Sequence, residues 1–152
     1  MPALRDAIND ALKESMKAGQ KCRLNTLRLI NAAVKDRDIE ARGAGKQPIS
    51  EEEMLQLFQK MIKQRQESAK IYADNNRPEL AAQELEEIGH ISGFLPKQMD
   101  EAETRAAVQK VIAELGAAGL KDMGRVMGEL KTRHSGTMDF GKANGVVKGL
   151  LS

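Results

Sequence analysis

A chain of 152 residues with 41% hydrophobic side chains can bury one ordinary core or two small ones, yet with 3% aromatics and no tryptophan that core must be aliphatic. One cysteine, Cys22, excludes an internal disulfide and a cysteine-built structural zinc site, and two widely separated histidines, His90 and His134, argue against a metal cluster. Net charge is +2, from 24 Lys and Arg against 22 Asp and Glu, too weak a bias to imply nucleic acid by itself. Residues 1–96 carry 15 cations and 15 anions, whereas residues 97–152 carry 9 and 7, so the whole excess lies in the C-terminal part. No apolar run approaches the ~20 residues of a membrane span, and the polar, acidic N-terminus is unlike a signal peptide. With a reducing compartment implied by the lone cysteine, a cytoplasmic location is expected.

Leu4, Ile8 and Leu12, with Ala7 and Ala11 beside them, predict an amphipathic helix ending near Gly19. A second begins close to Lys21, buries Leu24, Leu27, Ile30 and Val34, and stops at Gly43-Ala44-Gly45. It spaces Lys21, Arg28, Lys35 and Arg42 seven residues apart, a basic strip expected to be a solvated face beside Asp36 and Asp38. Ser50 and Glu53 form a capping box for a long third helix that buries Met54, Leu57, Phe58, Met61, Ile62, Ala69 and Tyr72. Asn75-Asn76-Arg77 interrupts the pattern, and Pro78 opens a fourth helix carrying Leu80, Ala81, Leu85, Ile88, Ile91 and Leu95. Gly89 and Gly93 within it are expected to bend it or permit close packing.

Pro96 ends that run, and Asp100 with Glu103 restarts a helix by the same capping logic. Val108, Ile112 and Leu115 line this fifth helix, which Gly116 terminates. Met123, Val126, Met127 and Leu130 line a short sixth, broken at Gly124 and Gly128; Phe140, Ala143, Val147 and Leu150 line a seventh. No period-2 stretch of strand length occurs. The expected fold is all-α: an N-terminal bundle of about four helices over residues 1–96, then a small three-helix domain over 97–152.

Little in the chain suggests chemistry. Cys22 lies near a helix start, which favours a thiolate, but neither histidine is its neighbour in sequence, and a small buried hydrophobe is the expectation. Gly43-Ala44-Gly45-Lys46 lacks both the spacing and the preceding strand of a phosphate loop. Glu51-Glu52-Glu53, Glu84 and Glu86-Glu87 are expected to cap or to face solvent, and His134 to be a loop residue. No catalytic residue, metal ligand or cofactor is therefore expected.

From the residues alone, the cations of the C-terminal part are expected either to solubilise a three-helix body, pairing with Asp122, Glu129 and Asp139, or to bind RNA; a family resemblance favours binding. Lys121 and Arg125, four apart, share a helical face, and Lys97, Lys131, Arg133 and Lys142 are expected to gather around them, with Lys148 beyond. Gly119 and Gly124 would let a phosphate approach backbone N–H groups at that helix start. So few aromatics leave single-stranded bases almost nothing to stack on, which points to the shape and backbone of folded RNA. Neither DNA nor membrane is an expected partner. The alternative is a protein-interaction adaptor that binds no RNA and docks through a Met-rich surface, although the core-like spacing of Met54, Met61, Met123 and Met127 favours packing over interface.

Four strings carry a resemblance over nearly the full length. Asn25-Thr26-Leu27-Arg28-Leu29-Ile30-Asn31-Ala32-Ala33, Lys60-Met61-Ile62-Lys63-Gln64-Arg65, Leu95-Pro96-Lys97-Gln98 and Lys121-Asp122-Met123-Gly124-Arg125-Val126-Met127 resemble, in the same order, signatures of the GatB/YqeY family. The resemblance implies a helical bundle followed by a three-helix domain. It also implies kinship with the tail of the B subunit of the tRNA-dependent amidotransferase, which converts Glu-tRNA(Gln) or Asp-tRNA(Asn) to the amidated form. There the tail grips the tRNA body and other domains do the catalysis. By resemblance this chain is a free-standing tRNA-holding tail with tRNA as partner, and an amidotransferase or synthetase beside it. Carbon–nitrogen ligase chemistry with glutamine as amido donor attaches to it by association only. It departs from the family where relatives commonly carry a Gly-Arg-Ala-Asp-Gly-like turn: here the residues are Gly136-Thr137-Met138-Asp139-Phe140-Gly141.

Overall fold

The computed structural model describes residues 4–152, and among them every regular element is helical. Two compact units divide the chain, the first ending at Leu95 and the second running Pro96–Ser152.

In the first unit α1 (Leu4–Ala18) stops where Gly19 takes φ +66°, a left-handed conformation that suits glycine. After it come α2 (Lys21–Gly43), α3 (Glu51–Asp74) and α4 (Pro78–Ser92). The Ser50 capping box forms as the sequence predicts: the Glu53 N–H donates to Ser50 Oγ at 3.2 Å, and the Ser50 N–H donates to Glu53 Oε1 at 3.4 Å. Pro78 occupies the first turn of α4, where its missing N–H costs nothing. Ile8, Leu27, Ile30, Met54, Phe58 and Ile91 build the core, and Phe94 meets Phe58 edge to face with ring centroids 6.4 Å apart. α1 packs on α2; α4 packs on both α2 and α3, which scarcely touch one another.

A polar staple ties three segments of this unit. Arg5 on α1 donates to both carboxylate oxygens of Asp38 on α2, at 2.8 and 2.9 Å. Asp38 also accepts the Ile49 N–H at 3.0 Å, and Arg5 donates to the Ile49 carbonyl at 3.0 Å. Asp38 is thus hydrogen-bonded to α1 and to the loop before α3, and Arg42 of the basic strip acts on it through charge alone.

The second unit comprises α5 (Glu101–Leu115), one 3-10 turn (Leu120–Asp122), α6 (Met123–His134) and α7 (Phe140–Leu151). Asp100 caps α5 by accepting the Glu103 N–H at 2.7 Å, and Asp139 caps α7 by accepting from Gly141 and Lys142. Gly116 at φ +63° closes α5. Val108, Val111, Val126, Leu130, Met138, Ala143, Val147 and Leu151 form a separate core. The Gly136–Gly141 turn is part of it. Met138 is fully buried, while the Met99 N–H donates to the Thr137 carbonyl at 2.8 Å and Gln98 Nε2 to the Gly136 carbonyl at 2.7 Å.

Three details differ from the sequence reading. α4 ends at Ser92 rather than continuing through Leu95, because Gly93 caps it and Phe94 and Leu95 fold back on the core. Gly89 admits no close neighbour, since a Cβ there would meet nothing within 4 Å. Gly124 and Gly128 do not break α6, which runs through both: twelve residues of helix tolerate them because Val126 and Leu130 anchor the buried face.

Because Gly128 is exposed and a Cβ there meets open space, Gly128→Ala is expected to stabilise the second unit by about 0.5–1 kcal/mol, measured by urea unfolding. The staple supplies a pH-dependent prediction. Arg5's hydrogen bonds, and then the Ile49 N–H, hold the Asp38 carboxyl below the usual carboxylate range. Its contribution is thus fully present above the unfolded value of about 4 and fades as pH falls through the depressed folded value. With Arg5 partly screened by solvent, Asp38→Asn is expected to cost about 1–2 kcal/mol at neutral pH and progressively less in acid.

Candidate nucleic-acid interface

Six cations were expected to make a contact surface in the second unit, and each lies where its helix boundary puts it. Lys97 precedes α5, Lys121 sits in the 3-10 turn, Arg125 is in the first turn of α6, Lys131 and Arg133 are in its last, and Lys142 opens α7. All six are exposed. Lys121 and Arg125 are not on one helix, because the 3-10 turn ends between them.

The two arginines are engaged within the unit. Arg133 bonds Glu114 on α5 at 2.6 Å and Glu129 on its own helix at 2.8 Å, and these two carboxylates, Glu114 first, push its pKa up. It clamps α6 to α5. Arg125 pairs with Asp122 at 3.2 Å but keeps 53% of its side chain in solvent. Asp122 turns back to accept the Ala118 N–H at 3.0 Å, and that bond, followed by the charge of Arg125, holds its carboxyl below the usual range. A carboxylate thus sits where a phosphate was expected beside Gly119 and Gly124; the sequence reading missed that the Asp within Lys-Asp-Met-Gly-Arg would answer the local N–H groups itself.

Acids and lysines are treated differently throughout this unit. Of its seven acids, Asp100 and Glu103 build one cap, Asp139 another, Asp122 holds the 3-10 turn, and Glu114 and Glu129 hold Arg133. Its six lysines, Lys97, Lys110, Lys121, Lys131, Lys142 and Lys148, are all exposed, and among the described residues none of them forms an ion pair. The outward positive character therefore exceeds what the net formal charge suggests. The four methionines are packing, as their core-like spacing predicts: Met54 and Met61 are buried in the first core, and Met123 and Met127 pack against the second.

In the first unit the fold brings one of the two histidines to the lone cysteine. Cys22, on the first turn of α2, meets Glu86 and His90, one turn apart on α4, and one ligand atom from each lies within 4.8 Å of the others. His90 Nε2 is 3.8 Å from Glu86 Oε1. The helix start does not favour a thiolate at Cys22. Burial, and then the negative charge of Glu86, raise its pKa above the ordinary thiol value.

A family profile described as Yqey-like protein matches residues 5–151. The chain belongs to the YqeY-like family. Two relatives share the name "Altered inheritance of mitochondria protein 41, mitochondrial". That of Lachancea thermotolerans is 32% identical over 106 residues, 68% of this YqeY-like chain and 55% of the relative. That of Vanderwaltozyma polyspora is 28% identical over 123 residues, 74% of this chain and 62% of the relative. The chain thus spans little more than half the length of the relatives it matches. Their names overturn the cytoplasmic expectation, since both are designated mitochondrial. The inference failed physically because a lone cysteine and the lack of a spanning helix describe any reducing aqueous compartment equally well.

The contrast between paired and unpaired cations in this YqeY-like unit is directly measurable. Arg133→Met is expected to lower the thermal midpoint, and less so in high salt, whereas Lys131→Met leaves it unchanged in circular dichroism melts.

Proposed function

We propose that the second unit of this YqeY-like protein holds folded tRNA by its sugar–phosphate backbone, and that it serves glutamine-dependent amidation of misacylated tRNA without carrying out that chemistry. The observation that carries this reading is the set of six exposed, unpaired lysines in a body whose acids are turned to its own caps and arginines. Lysines of this kind are point charges suited to phosphate, and each one that neutralises a phosphate releases condensed counterions. Lys97, Lys121, Lys131 and Lys142 are the contact residues in this reading. Arg125 contributes through its exposed half, and Arg133 holds α6 in place rather than touching RNA.

Shape is read rather than sequence. Phe140 is the sole aromatic residue of the second unit, and it packs against the core, so bases have no platform on which to stack. The link to amidation rests on the family resemblance alone. Among the described residues no site gathers the groups that would activate a carboxyl group with a nucleotide, so in this reading the ligase step belongs to a partner such as an amidotransferase.

Filter binding of folded tRNA to the full chain at two salt concentrations tests the reading. Retention is expected at low salt and is expected to fall steeply at high salt. Lys121→Gln, Lys131→Gln and Lys142→Gln should each weaken binding several-fold and reduce the salt slope by about one. Negligible retention at both salts, or binding that the three substitutions leave intact, would overturn it.

A further inference from the structure

We propose that Cys22, Glu86 and His90 bind a borderline-soft divalent cation of the zinc type between the start of α2 and the end of α4, leaving a fourth coordination position open to water. The donor set selects the ion. Thiolate sulfur and imidazole nitrogen favour zinc and its neighbours, whereas magnesium and calcium demand several oxygen ligands and would find a single carboxylate here. Three protein ligands from two helices with one open position match the arrangement of a reactive rather than a closed structural zinc site.

Geometry supports the assignment independently of donor chemistry. Bond lengths of about 2.0–2.3 Å to a tetrahedral zinc place neighbouring ligand atoms roughly 3.5 Å apart. His90 Nε2 and Glu86 Oε1 are already at 3.8 Å, and no separation within the trio exceeds 4.8 Å, so side-chain rotation alone closes the site. His90 Nε2 is buried and makes no hydrogen bond, the condition of an atom that still wants a partner. Glu87, the next residue, is held by Arg65 of α3 at 3.2 Å and is not the fourth ligand. Thr26, fully buried one turn beyond Cys22, bonds the Cys22 carbonyl at 2.9 Å and fixes the backbone that carries the sulfur.

The same surroundings argue against a Cys–His nucleophile. An activated thiol needs a cationic neighbourhood, and here a carboxylate, Glu86, lies within 4.8 Å of the sulfur. A divalent cation reverses that balance, because it sits between sulfur and carboxylate and neutralises both. On binding, the Cys22 S–H bond breaks, a sulfur–metal bond forms, and the proton leaves to solvent.

Cobalt(II) serves as the probe. Added to the reduced full chain, it is expected to produce a thiolate-to-cobalt charge-transfer band that saturates at one ion per chain and is displaced by zinc. Cys22→Ser should abolish the band, and His90→Ala and Glu86→Ala should each weaken cobalt binding by at least about tenfold. Glu86 has 59% of its side chain in solvent, so Glu86→Ala retains the fold, checked by circular dichroism, even if His90→Ala does not. Zinc should also slow alkylation of Cys22 by iodoacetamide at least about tenfold. No band together with an unchanged alkylation rate overturns the proposal. So does a band that survives Glu86→Ala at full affinity, which marks a lone thiol collecting metal.

Discussion

The first unit depends on α4 lying against two helices that scarcely meet. α2 and α3 are held together through it rather than by one another, with Ile91 fully buried at its centre. Its polar residues flank that apolar stripe on two sides. Toward α3, Glu87 pairs with Arg65, a pair in which both side chains are mostly buried, and the crowding of Glu84 by burial and by Glu87 raises the Glu84 pKa. Toward α2, Glu86 and His90 close on Cys22. A helix that must face two partners cannot use simple amphipathic patterning, and the polar groups it brings inward have to be matched by groups on its neighbours. Arg65 answers on one side. On the other, the Cys22 thiol bonds Glu86, and the buried His90 Nε2 is left without a hydrogen bond.

The second unit solves a different problem with similar material. Three short helices bury little area, and glycines inside α6 and α7 weaken them further. Its acids make up part of that deficit by capping α5 and α7, holding the 3-10 turn and clamping α6 to α5 through Arg133. Stabilising the body in this way consumes negative charge internally and leaves lysines as its outward face. Structural need and outward positive charge therefore have one origin. The Gly136–Gly141 turn shows the same economy: Met138 fills the core, Asp139 caps α7, and the turn carbonyls receive Gln98 and Met99, so a residue for phosphate is not required there.

Membership of the YqeY-like family accounts for the sequence signatures, and the placements of those signatures are instructive. Thr26 and Leu27 of the Asn25–Ala33 string are buried, and Met61 and Arg65 of the Lys60–Arg65 string contribute a core contact and the α4 ion pair. Gln98 clasps the α6–α7 turn, and Asp122 with Arg125 organises the start of α6. Much of what the motifs encode is thus helix registration and turn closure, with Lys97 and Lys121 left outward.

Helix positions were legible in the residues themselves, because caps and stops are local chemistry: Ser50 with Glu53, Asp100 with Glu103, Pro78 at a first turn and Gly116 in a left-handed cap each act within a few residues. The two aliphatic cores followed in outline from 3.6-residue periodicity, but Val111 is buried in place of Ile112, Leu151 in place of Leu150, and Leu80 and Leu85 are left exposed. Local charge pairs such as Arg125 with Asp122 and Arg133 with Glu129 were legible from their spacing, but pairing between helices was not. Whether Arg133 faces solvent or Glu114, and whether Asp38 meets its own helix or Arg5, depends on which helices become neighbours. The meeting of Cys22 with His90 is the plainest case, since 68 positions of chain separate them and no local preference reports the contact. Sequence determined the elements, because backbone capping and apolar spacing are short-range. Only the tertiary arrangement decided which charges and ligand atoms met, because electrostatic and coordinate partners are chosen by proximity in space.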